Sequence, residues 1–185
     1  MLGIYYLKIK NIWTCIASDE RGIHFSTFSL RDEKEVVAQT SNKLRGQRFQ
    51  FRKPDATMKS NLRALTEIYY GKSIKIKFNL CTDNLRKFTE KVLRKTMKIP
   101  VGYVSTYSII SKAVNNPKSA RAVGNVMAKN AFHLIVPCHR VVPSNLNIGK
   151  YAAGINEKRG ILTREGIEFT GRYNEKIGEE FLYKF

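Results

Sequence analysis

The hydrophobic positions fall into two regimes along this chain. In the first, Ile4 to Ile9 and Ile12 to Ile16 are rich in β-branched and aromatic residues, and Asp19-Glu-Arg-Gly22 marks a turn before Ile23 to Leu30, so the pattern predicts three strands. Arg31 to Leu44 reads as a helix with Asp32, Glu33 and Glu35 in its first turn, where acids complement the helix dipole. A second helix is expected after Pro54-Asp55, running to about Tyr70 and ended by Gly71. Ile74, Ile76, Phe78 and Leu80 alternate with polar residues and predict a half-buried strand over Ser73 to Leu80.

Near Cys81-Thr-Asp-Asn84 the period changes. Leu85, Phe88, Val92, Leu93 and Met97 recur at helical spacing, with Thr82 or Asp83 as N-cap and Pro100 as the stop. Gly102 marks a turn, and Ser105 or Thr106 can cap a short helix through Ile109, Ile110 and Val114. Asn115-Asn-Pro117 is a turn signal, followed by a helix over Lys118 to about Lys129. Two short helices around a tight turn form a helix-turn-helix pattern, although ordinary helical hairpins are at least as common. Further on, Pro143 to Gly149 is a polar loop, Tyr151-Ala-Ala-Gly154 is a small-residue stretch, and Asn156 can cap a last helix that ends at Gly166. Gly166 to Phe185 reads as a polar and aromatic tail docked on the surface. The fold class expected is α/β (α+β): a small N-terminal α/β domain over 1–81, then a mainly helical domain with a winged-helix-like helix-turn-helix over 82–170, then a tail over 171–185.

Charge sharpens this picture. The chain of 185 residues carries a net charge of +18, which points to a polyanionic partner. Between Lys91 and Asn156 there is no Asp or Glu, while ten Lys and Arg occur there, Arg121 and Arg140 among them. Surfaces usually mix signs, so the gap favours nucleic acid over a generally Lys-rich composition. No apolar run approaches the roughly 20 residues that cross a membrane. The start of the chain lacks the basic and apolar regions of a secretory signal. Three cysteines, Cys15, Cys81 and Cys138, are too few and too scattered for a disulfide scaffold, so a reducing, cytoplasmic (or nuclear) setting is expected. With His24, Cys15 and Cys81 make too small a ligand set for a closed zinc site and read as structural.

The candidate chemistry lies in Leu134-Ile-Val-Pro-Cys-His-Arg-Val-Val142, where Cys138 and His139 stand at a Pro-marked turn between two apolar runs. A thiol attacks as its thiolate, and a neighbouring base is the usual route to one near neutral pH. Adjacent residues of a strand point to opposite faces, so the pair can share a proton only across a turn or through a water. By itself a Cys-His dipeptide is more often a structural thiol beside a chance imidazole. Glu157 and Glu165, the first carboxylates after the gap, are the candidates to orient His139.

Pro137-Cys-His-Arg-Val-Val142, together with Asn116-Pro-Lys-Ser-Ala-Arg-Ala-Val-Gly124, Asn130, Tyr151-Ala-Ala-Gly154 and Glu165-Gly166, resembles the active-site pattern of the O6-alkylguanine-DNA alkyltransferases. The resemblance covers about Phe88 to Gly166. It implies that Cys138 takes the alkyl group from O6-alkylguanine, and O4-alkylthymine too, in a single irreversible transfer that needs no cofactor and no metal. It implies His139 as the base acting through a water, Glu165 as the carboxylate that orients it, and Asn130 as the tie between recognition helix and active-site segment. Arg121 resembles the finger that fills the space of an extruded nucleotide, and Tyr107 the residue that turns the phosphate and bonds the flipped base. The carbonyls of Cys138 and Val141 are implied acceptors from the guanine amino group, with Tyr151, Ala152 and Ala153 completing the pocket. Ala152-Ala153 replaces a frequent Ser and Gly of the family, which favours methyl over bulky groups. Thr89, Ser108, Asn116 and Ser144 stand where family members touch the DNA backbone. The implied partner is double-stranded DNA carrying O6-alkylguanine, bound by a monomer away from any membrane. Two rival classes remain: a damage-recognition module without chemistry, and a Cys-His hydrolase.

Overall fold

The computed structural model describes residues 1–171 and 176–185. The chain divides into two compact units. The first comprises Met1–Tyr69, Ile74–Asn84 and Ala131–Ile135, and the second Tyr70–Ser73, Leu85–Asn130 and Val136–Phe185. Residues 131–135 return to the first unit, where Ser26 N donates to the Ala131 carbonyl and His133 N to the Ser26 carbonyl, and residues 70–73 belong to the second.

In the first unit, strands β1 (Leu2–Ile9), β2 (Ile12–Asp19) and β3 (Gly22–Ser29) form an antiparallel meander, and the short β4 (Phe49–Phe51) adds to β1 in parallel, giving the order β3-β2-β1-β4. Helix α1 (Glu33–Lys43) begins where Asp32 accepts a hydrogen bond from Glu35 N, and it buries Val36 and Thr40 against β2 and β3. Helix α2 (Ala56–Tyr69) starts in the same way, Asp55 accepting from Met58 N, and packs against β1 and β2. Leu2, Ile4, Cys15, Ala17, Phe25, Val36 and Leu44 form a core between the sheet and α1. Thr40 Oγ1 lies 3.2 Å from Cys15 Sγ, and burial pushes that thiol up to about 11, which suits a packing role.

The strand expected over Ser73 to Leu80 does not form. Only Leu80 bridges to Ile23, through hydrogen bonds of the Asn79 carbonyl and Cys81 N. Ile74 and Phe78 are half buried and Ile76 is exposed. Alternation alone does not supply a partner, and this segment meets the sheet at one residue pair.

The second unit is built on α3 (Lys87–Thr96), α4 (Tyr107–Ala113) and α5 (Ala120–Ala128), which pack on one another. Helix α3 starts later than expected, with Arg86 at the N-cap and no side-chain cap, so neither Thr82 nor Asp83 plays that part. Thr106 caps α4 by accepting from Ile109 N. The turn between α4 and α5 is closed by Asn115 in a left-handed conformation (φ 60°), by Asn116 N donating to the Ser111 carbonyl, and by Ser111 Oγ against the Ser108 and Pro117 carbonyls. Strands β5 (Ser105–Thr106) and β6 (Val141–Val142) pair in parallel and tie the start of α4 to the Cys138 segment. Helix α6 (Ile155–Arg164) is entered through Gly154 (φ 98°) rather than through Asn156, which lies inside the helix. Gly71 (φ 78°) lies so close to the Arg164 carbonyl that a Cβ there would come within 2.2 Å of its oxygen.

The tail is more integrated than a surface-docked segment. Strands β7 (Phe169–Thr170) and β8 (Lys176–Ile177) pair, and Ile177 joins Val104, Val142, Ile148, Leu162 and Ile167 in a second core. Val104 exchanges hydrogen bonds with the Phe181 carbonyl and Tyr183 N. The part of the tail over 172–175 lies outside the described residues. The architecture is thus α/β, a sheet unit and a mainly helical unit.

Candidate active site

Every residue of the site belongs to the second unit. Pro137 leads into a single 3-10 turn, Cys138–Arg140, whose first N–H bonds the Val136 carbonyl at 2.7 Å. That turn supplies the side-chain geometry a strand would deny to neighbours. Cys138 lies on the wall of a cavity of about 270 Å³ lined by Tyr107, Gly124, Met127, Ala128, Lys150, Tyr151 and Ala152. Burial pushes the thiol pKa up, opposed by a hydrogen bond from Asn130 and by the charge of Lys158. At rest the sulfur is therefore a thiol and needs a base.

His139 follows it in the same 3-10 turn. His139 is fully buried, and its Nε2 lies 3.0 Å from Glu165 Oε1. A carboxylate only accepts, so Nε2 carries the proton and Nδ1 presents its lone pair. Nδ1 is itself buried and has no partner among the described residues. Burial lowers the imidazole pKa, helped by Arg140 and Lys158 and opposed by Glu165, which leaves the ring neutral and able to accept at neutral pH. Burial would raise the Glu165 carboxyl, but hydrogen bonds and charge from His139 and Arg140 outweigh it and hold it at about 2. Arg140 grips that carboxylate with Nε at 3.0 Å to Oε2 and Nη2 at 2.8 Å to Oε1, and its Nη1 donates to the Ile99 carbonyl at 2.8 Å. Glu157, the other candidate partner, instead lies 3.5 Å from Arg164.

Asn130 joins two segments. Its Nδ2 donates to the Val136 carbonyl at 3.1 Å and to Cys138 Sγ at 3.2 Å, so the residue just after α5 fixes both the entry to the turn and the sulfur. The C-cap of α5 is Lys129. The Tyr151 hydroxyl is buried near Sγ, without a hydrogen bond among the described residues, and its pKa is raised by burial and by Cys138. Tyr107, the first residue of α4, faces the same cavity, and burial raises its pKa as well.

The remaining sequence candidates separate into three groups. Arg121 is exposed on the first turn of α5, and Ser108 on α4, Thr89 on α3, Asn116 in the interhelical turn and Ser144 after β6 are exposed or half exposed. Ala152 lines the cavity, whereas Ala153 is exposed and outside the lining. Val141 is fully buried in β6, and its carbonyl already accepts from Lys158 Nζ at 2.7 Å. Arg140 is spent on Glu165, so it adds nothing to the basic surface that the acid-free stretch suggests. Arg94 pairs with Glu90 at 2.8 Å.

Sequence reasoning missed the parts played by Arg140 and Lys158. Lys158 has no exposed surface, and burial lowers its pKa to about 8. A signal existed for each. Lys158 precedes Ile161 and Leu162 by three and four residues, on the apolar stripe of its helix, and Arg140 interrupts an apolar run. A cation in either place needs a buried partner.

Fold and site together define a class: a helix-turn-helix unit with a cavity beside its second helix, a cysteine in the cavity wall, and a buried histidine–carboxylate pair that begins at the next residue. Residues 87–167 match the family model described as the 6-O-methylguanine DNA methyltransferase, DNA binding domain. A methylated-DNA–protein-cysteine methyltransferase of Methanocaldococcus vulcanius is 45% identical over 85 residues, 46% of this chain and 51% of that protein. A protein of the same name from Saccharolobus islandicus is 43% identical over 81 residues, 44% of this chain and 52% of that protein. The chain spans about half the length of the curated relatives it matches. The crystal structure of the O6-methylguanine-DNA methyltransferase of Pyrococcus kodakaraensis superposes with a TM-score of 0.71 at 25% identity, over 90% of this chain and 99% of that one. Over residues 87–167 the chain is therefore similar to the DNA-binding domain of the 6-O-methylguanine DNA methyltransferases.

Proposed function

We propose that this protein repairs DNA by direct reversal, moving the alkyl group of O6-alkylguanine in duplex DNA to Cys138 in one irreversible step. One observation carries the reading: the Cys138 thiol lines a cavity beside α5, and the next residue, His139, is a neutral imidazole whose Nδ1 lone pair has no partner among the described residues and whose Nε2–H is anchored on Glu165. The thiol gives its proton, through a water, to His139 Nδ1, and Sγ attacks the alkyl carbon. The S–C bond forms as the C–O6 bond breaks. The electron pair stays with the base, which takes up one proton at a ring nitrogen, so a thiol hydrogen is exchanged for an alkyl group. Tyr107 and Tyr151 hold their phenolic protons tightly and are suited to donate hydrogen bonds to the leaving base. The thioether has no leaving group, so each molecule acts once.

A base stacked in a duplex hides its O6 substituent, so the nucleotide must be extruded, at a cost of a few kcal/mol. Arg121, exposed at the start of α5, fills the vacated space in this reading, while Thr89, Ser108, Asn116 and Ser144 contact the backbone. The Cys138 and Val141 carbonyls read the guanine amino group with the lone pairs left after they accept from Val141 N and Lys158 Nζ. The cavity suits a methyl better than a bulky group, O4-alkylthymine is a second substrate of the same geometry, and the protein works as a monomer in the cytoplasm or nucleus. No described helix is long and apolar enough to cross a membrane.

Peptide mapping after incubation with an O6-methylguanine duplex tests the assignment. The methyl group is expected on the Cys138 peptide, with Cys15 and Cys81 unmodified. A label on either of those thiols, or binding with no label at all, overturns it.

A further inference from the structure

The first unit holds a second basic stretch that the cysteine site does not use. Between Glu35 and Asp55 there is no Asp or Glu, while Lys43, Arg45, Arg48, Arg52 and Lys53 contribute five positive charges. The stretch is centred on β4, an edge strand of the sheet, and Arg45, Arg48, Arg52 and Lys53 are all exposed. Strand register places an aromatic cluster beside these charges. Leu2 pairs with Phe49, Ile4 with Phe51, Tyr6 with Cys15 and Lys8 with Trp13, so alternation puts Tyr6, Trp13, Phe49 and Phe51 on one face. Helix α1 packs over β2 and β3 on that face, and the rings lie along the β1–β4 margin.

The rings meet at an angle. Tyr6 lies 6.2 Å from Trp13 and 6.1 Å from Phe51, and Phe49 lies 6.0 Å from Phe51, with interplanar angles of 48°, 77° and 81°. An edge-to-face contact occupies one face of one ring in each pair and leaves that ring's other face uncovered by its partner. Phe51 is 49% exposed, and the Lys8 ammonium stands 5.7 Å from the Trp13 ring centre. Glu33, a carboxylate at the cluster, is engaged by the Tyr6 hydroxyl. An edge strand that displays large rings among cations has the composition of a stacking platform: bases pack on the rings, and the cations follow the phosphates. A duplex buries its base faces and has nothing to stack there.

We propose that this margin binds single-stranded nucleic acid, with unpaired bases stacked on Phe51 and its ring neighbours and phosphates held by Lys8, Arg48, Arg52 and Lys53.

Trp13 is the chain's single tryptophan, so its emission reports on this surface alone. The full-length protein is titrated with oligothymidylate, which offers no guanine and so tests this surface independently of alkyl transfer. Saturable quenching is expected, weakening steeply as salt rises. Phe51→Ala should weaken binding about tenfold and Phe51→Tyr should restore it, within the range for one base–ring stack. Arg52→Glu should weaken binding too, and all three variants should transfer methyl to Cys138 as the parent does. The proposal falls if Trp13 emission does not respond, if Phe51→Ala binds as tightly as the parent, or if a blunt duplex of equal length quenches as well as the single strand. It also falls if anionic phosphatidylserine vesicles quench Trp13 while oligothymidylate does not.

Discussion

Replacing Glu165 by Gln separates the two tasks of that carboxylate. It sits at the junction of His139 and Arg140, accepting from Nε2 of the one at 3.0 Å and from Nε and Nη2 of the other at 3.0 and 2.8 Å, with its own side chain fully buried. An amide is isosteric but neutral, and its nitrogen would face the guanidinium. The Arg140 charge then stays buried without a counter-ion, and breaking such a pair costs about 3–5 kcal/mol. For a chain of this size each kcal/mol moves Tm by roughly 2–4 °C, so a drop of roughly 6–20 °C is expected. Removing the guanidinium as well should return part of the loss, because the buried charge is gone. In a double-mutant cycle with Arg140→Met, followed by urea unfolding at neutral pH, the two changes should couple by about 0.5–3 kcal/mol. Activity should not return with stability. His139 would lack the carboxylate that fixes its tautomer, and single-turnover methyl transfer should stay about 10²–10⁴ times slower in both variants. Strict additivity in the unfolding cycle would refute the ion-pair argument, and recovery of the transfer rate in the double variant would refute the orienting role.

Other consequences follow from the same geometry. The Glu165 carboxyl lies at about 2 in the folded chain against an ordinary 4.5, and burial lowers His139 below its ordinary 6.5. Both groups bind protons more readily when unfolded, so stability should be full above about pH 6.5 and fall as pH drops towards 2, as thermal melts across that range would record. Asn130→Ala leaves the Val136 carbonyl and Cys138 Sγ without this donor; a loss of about 1–3 kcal/mol and slower iodoacetamide alkylation of Cys138 at fixed pH are expected. Arg121→Ala, at an exposed position, should change stability by less than about 0.5 kcal/mol while slowing transfer from duplex DNA, and a variant that unfolds readily would show that Arg121 holds the fold instead.

Much of the helical unit could be read from the chain because its signals are local: Thr106 caps α4, Asn115-Asn-Pro117 makes the turn before α5, and the apolar period marks α3. The failures were of tertiary origin. Ser73 to Leu80 has strand-like alternation but joins the sheet by one bridge, Leu80 to Ile23, and helix α6 takes its entry from a left-handed Gly154 although Asn156 is the better capping residue by type. The tail looked peripheral because Leu182 finds its bridge partner 78 residues earlier, at Val104, and Ile177 N its acceptor 31 residues earlier, at Leu146. At the site, the residues pointed to Cys138 and His139 with Glu157 or Glu165, and the resemblance to Asn130 and Glu165; Asn130 lies on Cys138 Sγ and Glu165 on His139. Arg140 and Lys158 were missed because a charge in an apolar run says only that a partner is needed, and the partners here, Glu165 and the Val141 carbonyl, lie 25 and 17 residues away.

The most direct test of alkyl transfer to Cys138 is the intact mass of the protein after incubation with excess O6-methylguanine duplex, beside Cys138→Ser. One methyl group per protein, no further gain on a second addition of duplex, and no gain in the variant is the predicted result. An unchanged mass with the duplex still bound, or a methyl group that also appears on Cys138→Ser, would contradict the account.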